Sequence, residues 1–350
     1  VSPGPDGPGA DGAHTPPSAR DEGPAAPRPG RAARRRARRR PPPLPQREGL
    51  DPVRWLVPRE HEAPRPALEA LRARFPALVD PAATPLPRRF ADGEIVDPLG
   101  RPWRAEDAVG AGDELWFHRE LREETVPPVP LTILHRDAHL LVLDKPHDMA
   151  TMPRGAHVLA SALVRLRRAT GITDLVPLHR LDRRTAGVLA FGIRPAERAA
   201  YQQLFARREV HKQYEARVRP GPSSPLPRTP GERLLLQDRL ERPRGALTVR
   251  AVAGPPNAQT LLEVVAAEVD GTLRLRLHPR TGRTHQLRAQ LSARDAPILG
   301  EDLYPQPGPE PPLPLQLLAR RLAFEDPVTG EARAFLSAQE LAAGPRTLDP

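Results

Sequence analysis

An α+β fold built on a mostly antiparallel, mixed sheet with flanking helices and loops is predicted by three features of this 350-residue chain. Apolar runs of strand length recur from Leu131 onward, and few helical periods separate them. Asp270–Gly271 then joins two of those runs with a dipeptide suited to an antiparallel hairpin turn.

The elements follow in order. Residues 1–48 are Pro-, Gly- and Arg-rich with almost nothing to bury, and are predicted to be a disordered tail. Within it "RAARRRARRR" (31–40) looks like the charged start of a secretory signal. "PPPLPQ" follows it in place of an apolar run, so it cannot enter a translocon. It reads as a solvated arm or as one that adds affinity for RNA or DNA. A small region, 49–126, comes next. Leu68, Leu71, Phe75 and Leu78 are spaced for one amphipathic helix over 66–80, and "EIV" and "ELWFH" are strand-prone pieces between turn dipeptides. Pro127, Pro128 and Pro130 stiffen a connection to the main domain, 127–345.

There "LTILH" and "HLLVLDKP" are strand-like, and the near-continuous apolarity of the second implies burial on both faces. "GVLAFGI" (187–193) repeats that signal. "PAERAAYQQLFARREV" (195–210) opens with a proline where a helix tolerates one, and "KQYEARV" is a further strand. "QTLLEVVAAEV" and "TLRLRLHP" flank the hairpin turn. Arg274 and Arg276 alternate there with Leu273, Leu275 and Leu277, giving a cationic face that is either solvated or in contact with phosphate. "THQLRAQLSA" (284–293) is predicted helical, and "QLLARRLAFEDPVTGE" a strand ending in a turn.

The chain has no cysteine, which excludes disulfides and thiolate metal sites and makes a reducing cytoplasm the simplest home. No apolar stretch approaches the roughly 18 residues needed to cross a bilayer. The net charge of +10 supports nucleic acid as a partner, although residues 1–50 hold about half of the excess. Lys145 and Lys212 are the only lysines, so the preference for arginine is read as a coding bias as much as a binding device.

Residues able to do chemistry fall into three clusters. Asp182 lies in "HRLDRRTAG" among Arg180, Arg183 and Arg184, directly before a strand that should be buried. A surface ion pair is the plainer explanation of such a neighbourhood. Tyr214 lies in "HKQYEA". "RTGRTHQLR" sets a Gly turn and two arginines at the start of a helix, where free N–H groups would favour an anion. Arg288 would project from that helix and could pair with Asp182, keeping it ionised as a nucleophile or base requires; His285 and Gln286 could equally cap and pack. A metal-dependent nuclease would have to recruit His179, Asp182, His278 and His285. No H-x-x-x-H or paired-carboxylate spacing is present, and arginines adjoin each candidate.

In this order and spacing the clusters resemble the RluA-type family of pseudouridine synthases. "HRLDRRTAGVLAF" is similar to the family's H-R-L-D-x-x-T-S-G-L-L, "HKQYEARV" to its K-x-Y, and "RTGRTHQLRAQL" to its T-G-R-T-H-Q-I-R-x-H. "ILHRDAHLLVLDKP" and "LLARRLAFEDPVTGE" resemble the opening and closing elements, so the likeness spans residues 131–332. The resemblance implies isomerisation of uridine to pseudouridine in ribosomal or transfer RNA, with neither cofactor nor metal, by a monomer. By the same resemblance Asp182 would be the nucleophile, Tyr214 would pack on the flipped uracil, Arg288 would pair with Asp182, and Arg180 would help displace the target base. His179, Arg283, Thr284, His285 and Gln286 would contact the substrate. Departures are Ala186 for serine, Ala289–Gln290 for Val–His, Glu301 for aspartate in "GEDLYP", and Ala319–Arg320 and Glu325–Asp326 in the closing element. Residues 88–120 share the G-x-V and G-D-x-x rhythm of a small RNA-binding domain often fused to these enzymes. A catalytically retired RNA-binding protein is the alternative that keeps the same residues.

Overall fold

In the computed structural model, which describes residues 41–58, 63–121, 124–155 and 157–342, the first elements build a core of their own. They are β1 (Val53–Leu56), β2 (Arg65–Pro66), α1 (Ala67–Arg74), α2 (Leu86–Ala91), β3 (Ala108–Val109) and β4 (Glu114–Phe117), with β1 paired to β4 and β2 to β3. Trp55, Leu71, Leu78, Phe90, Ile95 and Phe117 fill the space between them. The single helix expected over 66–80 is broken. Pro76 cannot donate a helical hydrogen bond, and the chain continues as a 3-10 turn, Pro76–Val79. "EIV" is not a strand either. Asp97 Oδ1 accepts from the N–H groups of Leu99 and Arg101 at 2.7 and 3.0 Å, turning the chain at Pro98 so that Val96 makes only isolated bridges. The run 31–40 and most of the expected tail lie outside the described residues. From Pro43 onward the described residues belong to one compact unit.

The main sheet has eleven strands. In chain order its elements are β5 (Thr132–Arg136), β6 (Leu140–Lys145), α3 (Ala162–Thr170), β7 (Val176–Pro177), β8 (Ala186–Gly192), α4 (Arg198–Arg207), β9 (His211–Val218), β10 (Arg233–Glu241), β11 (Arg250–Val252), β12 (Ala258–Ala267), β13 (Leu273–Pro279), α5 (Gln286–Ser292), β14 (Leu317–Glu325) and β15 (Ala332–Leu336). The spatial order is β11-β10-β12-β13-β9-β14-β8-β6-β5, with β15 on β14 and β7 on β8. Every pairing is antiparallel except β8 with β14. That parallel contact joins the two halves of the sheet.

β6 and β8 are buried along their whole length, as their apolarity predicts, because each side chain meets a core. Leu140, Val142, Val188 and Ala190 pack under α4 with Tyr201 and Leu204, whereas Leu141, Leu143, Leu189 and Phe191 pack under α3 with Leu163 and Leu166. A third core lies beneath α5, where Leu287 and Leu291 meet Leu262, Leu275 and Leu277. Gly187 is what lets β8 approach β14. Its φ is +111°, and a Cβ there would stand 2.3 Å from the Ala319 carbonyl oxygen, so only glycine fits. The sheet junction is thereby set five residues after Asp182.

Candidate active site

The loop Leu178–Thr185 runs into β8 and is held from beneath by side chains that have left water. Lys145 is fully buried, and its Nζ donates to the carbonyls of Pro146, Met149 and Arg183 at 2.9, 2.8 and 3.0 Å. Burial pushes its pKa down to about 7, against the pull of the Asp182 and Asp148 carboxylates. Thr151 Oγ1 donates to the Leu181 carbonyl at 2.8 Å and accepts from the Leu181 N–H at 3.1 Å, fixing the residue before Asp182. His147 Nδ1 donates to the Arg184 carbonyl at 2.8 Å. Asp182 itself stays partly open, its side chain 29% exposed.

Two of the arginines flanking Asp182 turn inward onto protein carboxylates. Arg184 is buried, donates to the carbonyls of Gly300 and Leu313, and lies 3.4 Å from Asp302. Arg183 pairs with Asp148 at 3.2 Å and with Glu310 at 2.8 Å. The Pro-rich segment 300–314 is thus strapped to the loop. Arg180 points outward and is exposed, with no ion pair among the described residues.

β9 and α5 complete the site. Tyr214 stands opposite Leu277 across the β9–β13 pair and touches the cores on both sides of the junction. Burial and the nearby Asp182 charge raise its pKa. Arg288 is buried, but its ion pairs run to Glu301 and Asp302, not to Asp182 as the spacing suggested: Nε donates to Glu301 Oε2 at 2.9 Å and a terminal nitrogen to Asp302 Oδ1 at 2.6 Å. Burial works against the charge of Arg288, but the Glu301 hydrogen bond and charge, helped by Asp182 and Asp302, outweigh it and raise the pKa. Glu301, the residue that departs from the family pattern, therefore takes the guanidinium. Asp182 is reached instead by His285, whose Nε2 lies 3.8 Å from Oδ1.

The remaining sequence candidates divide by exposure. Arg283 and Thr284 are exposed on the rim. His179 and Gln286 serve the framework. His179 Nε2 accepts from the Ala190 N–H at 3.1 Å while its ring stacks on Phe205, and burial pushes its pKa down to about 3. Gln286 Oε1 accepts from Thr281 Oγ1 and the Arg283 N–H, and its amide donates to Gln259 and Thr260. The helix expected over 284–293 begins only at Gln286, whose N–H is taken by the Arg283 carbonyl. That start is not the free anion cradle the sequence suggested. The cationic face of β13 lies on the side of the sheet away from Tyr214, where Arg276 is neutralised by Glu263 at 2.9 Å. No group of three or more His, Asp or Glu side chains among the described residues is placed to hold a metal ion.

A cavity of about 690 Å³ opens over Asp182 and Tyr214. Arg180, Arg208, Lys212, Arg280 and Arg283 line it, and none of the five forms an ion pair with a described carboxylate. Arg208, Lys212 and Arg280 line the cavity although the sequence did not single them out as site residues. Lys212 and Lys145 were marked in the sequence as the only two lysines and as members of the K-x-Y string and the opening element, but neither mark said what the side chain faces.

A carboxylate beside a half-buried tyrosine at the floor of a cation-lined cavity suits a nucleic-acid reaction, and comparison with known proteins agrees. The family model described as RNA pseudouridylate synthase matches residues 139–293. The dual-specificity RNA pseudouridine synthase RluA of Escherichia coli K12 is 35% identical over 209 residues, 59% of this chain and 91% of that protein. The chain belongs to the RNA pseudouridine synthase family. RluA of Pasteurella multocida is likewise 35% identical, over 60% of this chain and 94% of that protein. The solved structure of human RNA Pseudouridylate Synthase Domain Containing 1 aligns with a TM-score of 0.49 at 22% identity, covering 63% of this chain and 86% of that one. This family member is an enzyme that isomerises uridine in RNA. No helix among the described residues is long and apolar enough to cross a membrane.

Proposed function

We propose that Asp182 is the nucleophile of this synthase and acts on a uridine flipped out of structured RNA. The observation that carries the reading is the convergence of Asp182, Tyr214 and His285 on one cavity lined by five unpaired cations. Asp182 adds to the anomeric carbon or to the base, the N1–C1′ bond breaks, and the freed uracil turns so that C5 bonds to C1′ as Asp182 leaves. A proton departs from C5 and N1 gains one, so composition is unchanged. Neither reacting carbon is reachable inside a stacked helix, which makes base flipping necessary. Exposed Arg180 fills the vacated space, Tyr214 packs on the uracil, and Arg283 and Thr284 hold the backbone at the rim. Arg288 contributes charge from behind, through Glu301 and Asp302.

The RNA is ribosomal or transfer RNA, as the resemblance of the motifs implies. The enzyme works as a cytoplasmic monomer, with 127–345 as its catalytic domain. Region 49–126, which has a separate core, forms an appended unit that acts as a degenerate RNA-binding domain. The test is to map pseudouridine by carbodiimide adduct and primer extension in cells lacking the gene. At least one ribosomal or transfer RNA position should lose its signal and regain it with the intact gene. Asp182→Asn should lower turnover at least about 10⁴-fold with RNA affinity within twofold, since the amide keeps the shape but not the nucleophile. A fully active Asp182→Asn enzyme rules out the assigned role.

A further inference from the structure

Tyr304 has no part in the reaction as described, yet its hydroxyl is buried next to the group that reaches Asp182. Two neighbours lie within hydrogen-bond distance among the described residues: the Val249 N–H at 3.0 Å and His285 Nδ1 at 2.9 Å. A backbone N–H can only donate, so the phenolic oxygen accepts from Val249. The single phenolic hydrogen then has one acceptor available, Nδ1. If Nδ1 carried the proton instead, the O–H would be buried without a partner, an arrangement folded proteins avoid. Nδ1 is therefore the acceptor, and the neutral ring holds its hydrogen on Nε2.

That nitrogen is the one facing Asp182 Oδ1, at 3.8 Å. The ring reaches this place because His285 adopts a left-handed backbone, φ +51°, at the start of α5, an uncommon conformation for a side chain of its size. The Arg288 guanidinium lies over the Tyr304 ring, 5.7 Å from its centre. Burial favours the neutral form of His285; Asp182 and Glu301 oppose that preference, and Arg288 and Arg242 reinforce it. Arg288 commits Nε and one terminal nitrogen to Glu301 and Asp302, and His285 is the one basic side chain in ion-pair range of Asp182 among the described residues.

We propose that Tyr304 and His285 are positioning residues: Tyr304 fixes the Nε2–H tautomer of His285, and that N–H holds Oδ1 of Asp182, leaving Oδ2 free to attack. The separation of 3.8 Å closes to hydrogen-bond distance when substrate fills the cavity, as unliganded sites commonly tighten on binding. The proposal rests on Asp182 as nucleophile but adds two residues and a proton location to that reading.

The experiment uses the full chain labelled with ¹⁵N-histidine. Long-range ¹H–¹⁵N correlation reads the tautomer of His285, identified by the signals missing from His285→Gln. Kinetics use tritium release from total RNA of the deletion strain, labelled with 5-tritiated uridine. The wild-type ring should show the Nε2–H pattern and Tyr304→Phe a mixture of tautomers. Tyr304→Phe should lower kcat about tenfold with KM within twofold. His285→Gln, whose amide N–H falls near the Nε2 position, should retain more activity than His285→Asn, whose amide ends near Nδ1. An Nδ1–H ring in the wild type, an unchanged kcat in Tyr304→Phe, or equal activity of the two His285 variants would overturn the proposal. Failure of the nucleophile reading shows up separately, as an active Asp182→Asn enzyme.

Discussion

Lys145 and His179 show how single residues hold the loop without touching what it presents. An ammonium offers three donors from one point, which matches the three carbonyls that converge on Lys145; a planar guanidinium could not serve them from that position. In a chain that uses lysine at only one other position, this explains Lys145, but only once the fold has brought the carbonyls together. Asp182 and Tyr214 were legible because their motifs travel as short strings. Lys145 was not, because its partners lie up to 38 positions away. His179, a substrate contact by its place in the Asp182 motif, lines the cavity, and its ring nitrogen serves the Ala190 N–H. Its folded pKa of about 3 lies below the unfolded value near 6.5. The unfolded chain therefore binds the extra proton between these values, and the stability His179 supplies is complete above pH 6.5 and lost as pH falls toward 3. His179→Gln keeps an acceptor for the N–H and removes the titration. Its melting temperature should accordingly fall less steeply than the wild type's between pH 6.5 and 4, measured by thermal denaturation across that range.

Strands were easier to read than their neighbours. Near-continuous apolar runs marked β6 and β8, and the Asp270–Gly271 turn marked β12 and β13, because burial on one or both faces writes itself into consecutive residues. The pairing of β8 with β14 was not legible, since nothing local says which strand Gly187 will meet 132 positions later. Nor was the strap formed by residues 300–314, whose Pro-rich sequence looks like an ordinary loop until Arg183 and Arg184 are seen to bind it. The same segment supplies Glu301 and Asp302, which displaced the expected pairing of Arg288 with Asp182. Gly187→Ala tests the junction directly. The new methyl would meet backbone on β14, not a flexible side chain, and would stand at a φ that L-residues rarely adopt. The variant should lose about 3 kcal/mol or more of stability, read as a lower urea midpoint at unchanged slope. A loss below about 1 kcal/mol would mean that the two halves of the sheet part more easily than the close contact implies.

Across the whole molecule the question is which of the many positive charges meet RNA. The net charge of +10 could not answer it, because paired and unpaired arginines count alike in composition. Around Asp182 they separate by partner. Arg183, Arg184 and Arg288 face protein carboxylates, whereas Arg180, Arg208, Lys212, Arg280 and Arg283 face the cavity without one. On the opposite side of the sheet Arg276 is answered by Glu263. Each cation that takes a phosphate releases condensed counterions, so the logarithm of affinity falls with the logarithm of salt by about 0.7–0.9 for each contact. Arg208→Ala and Arg280→Ala should each weaken RNA binding and reduce that slope by about one contact's worth. Arg276→Ala carries the same loss of formal charge and should leave the slope unchanged, because Glu263 already occupies the guanidinium. Titrating total transfer RNA between 50 and 300 mM salt, with the three variants side by side, separates a local contact from a diffuse field. If all three slopes fell equally, RNA would be sensing the overall charge of the chain, and the cavity would have no privileged role in holding it.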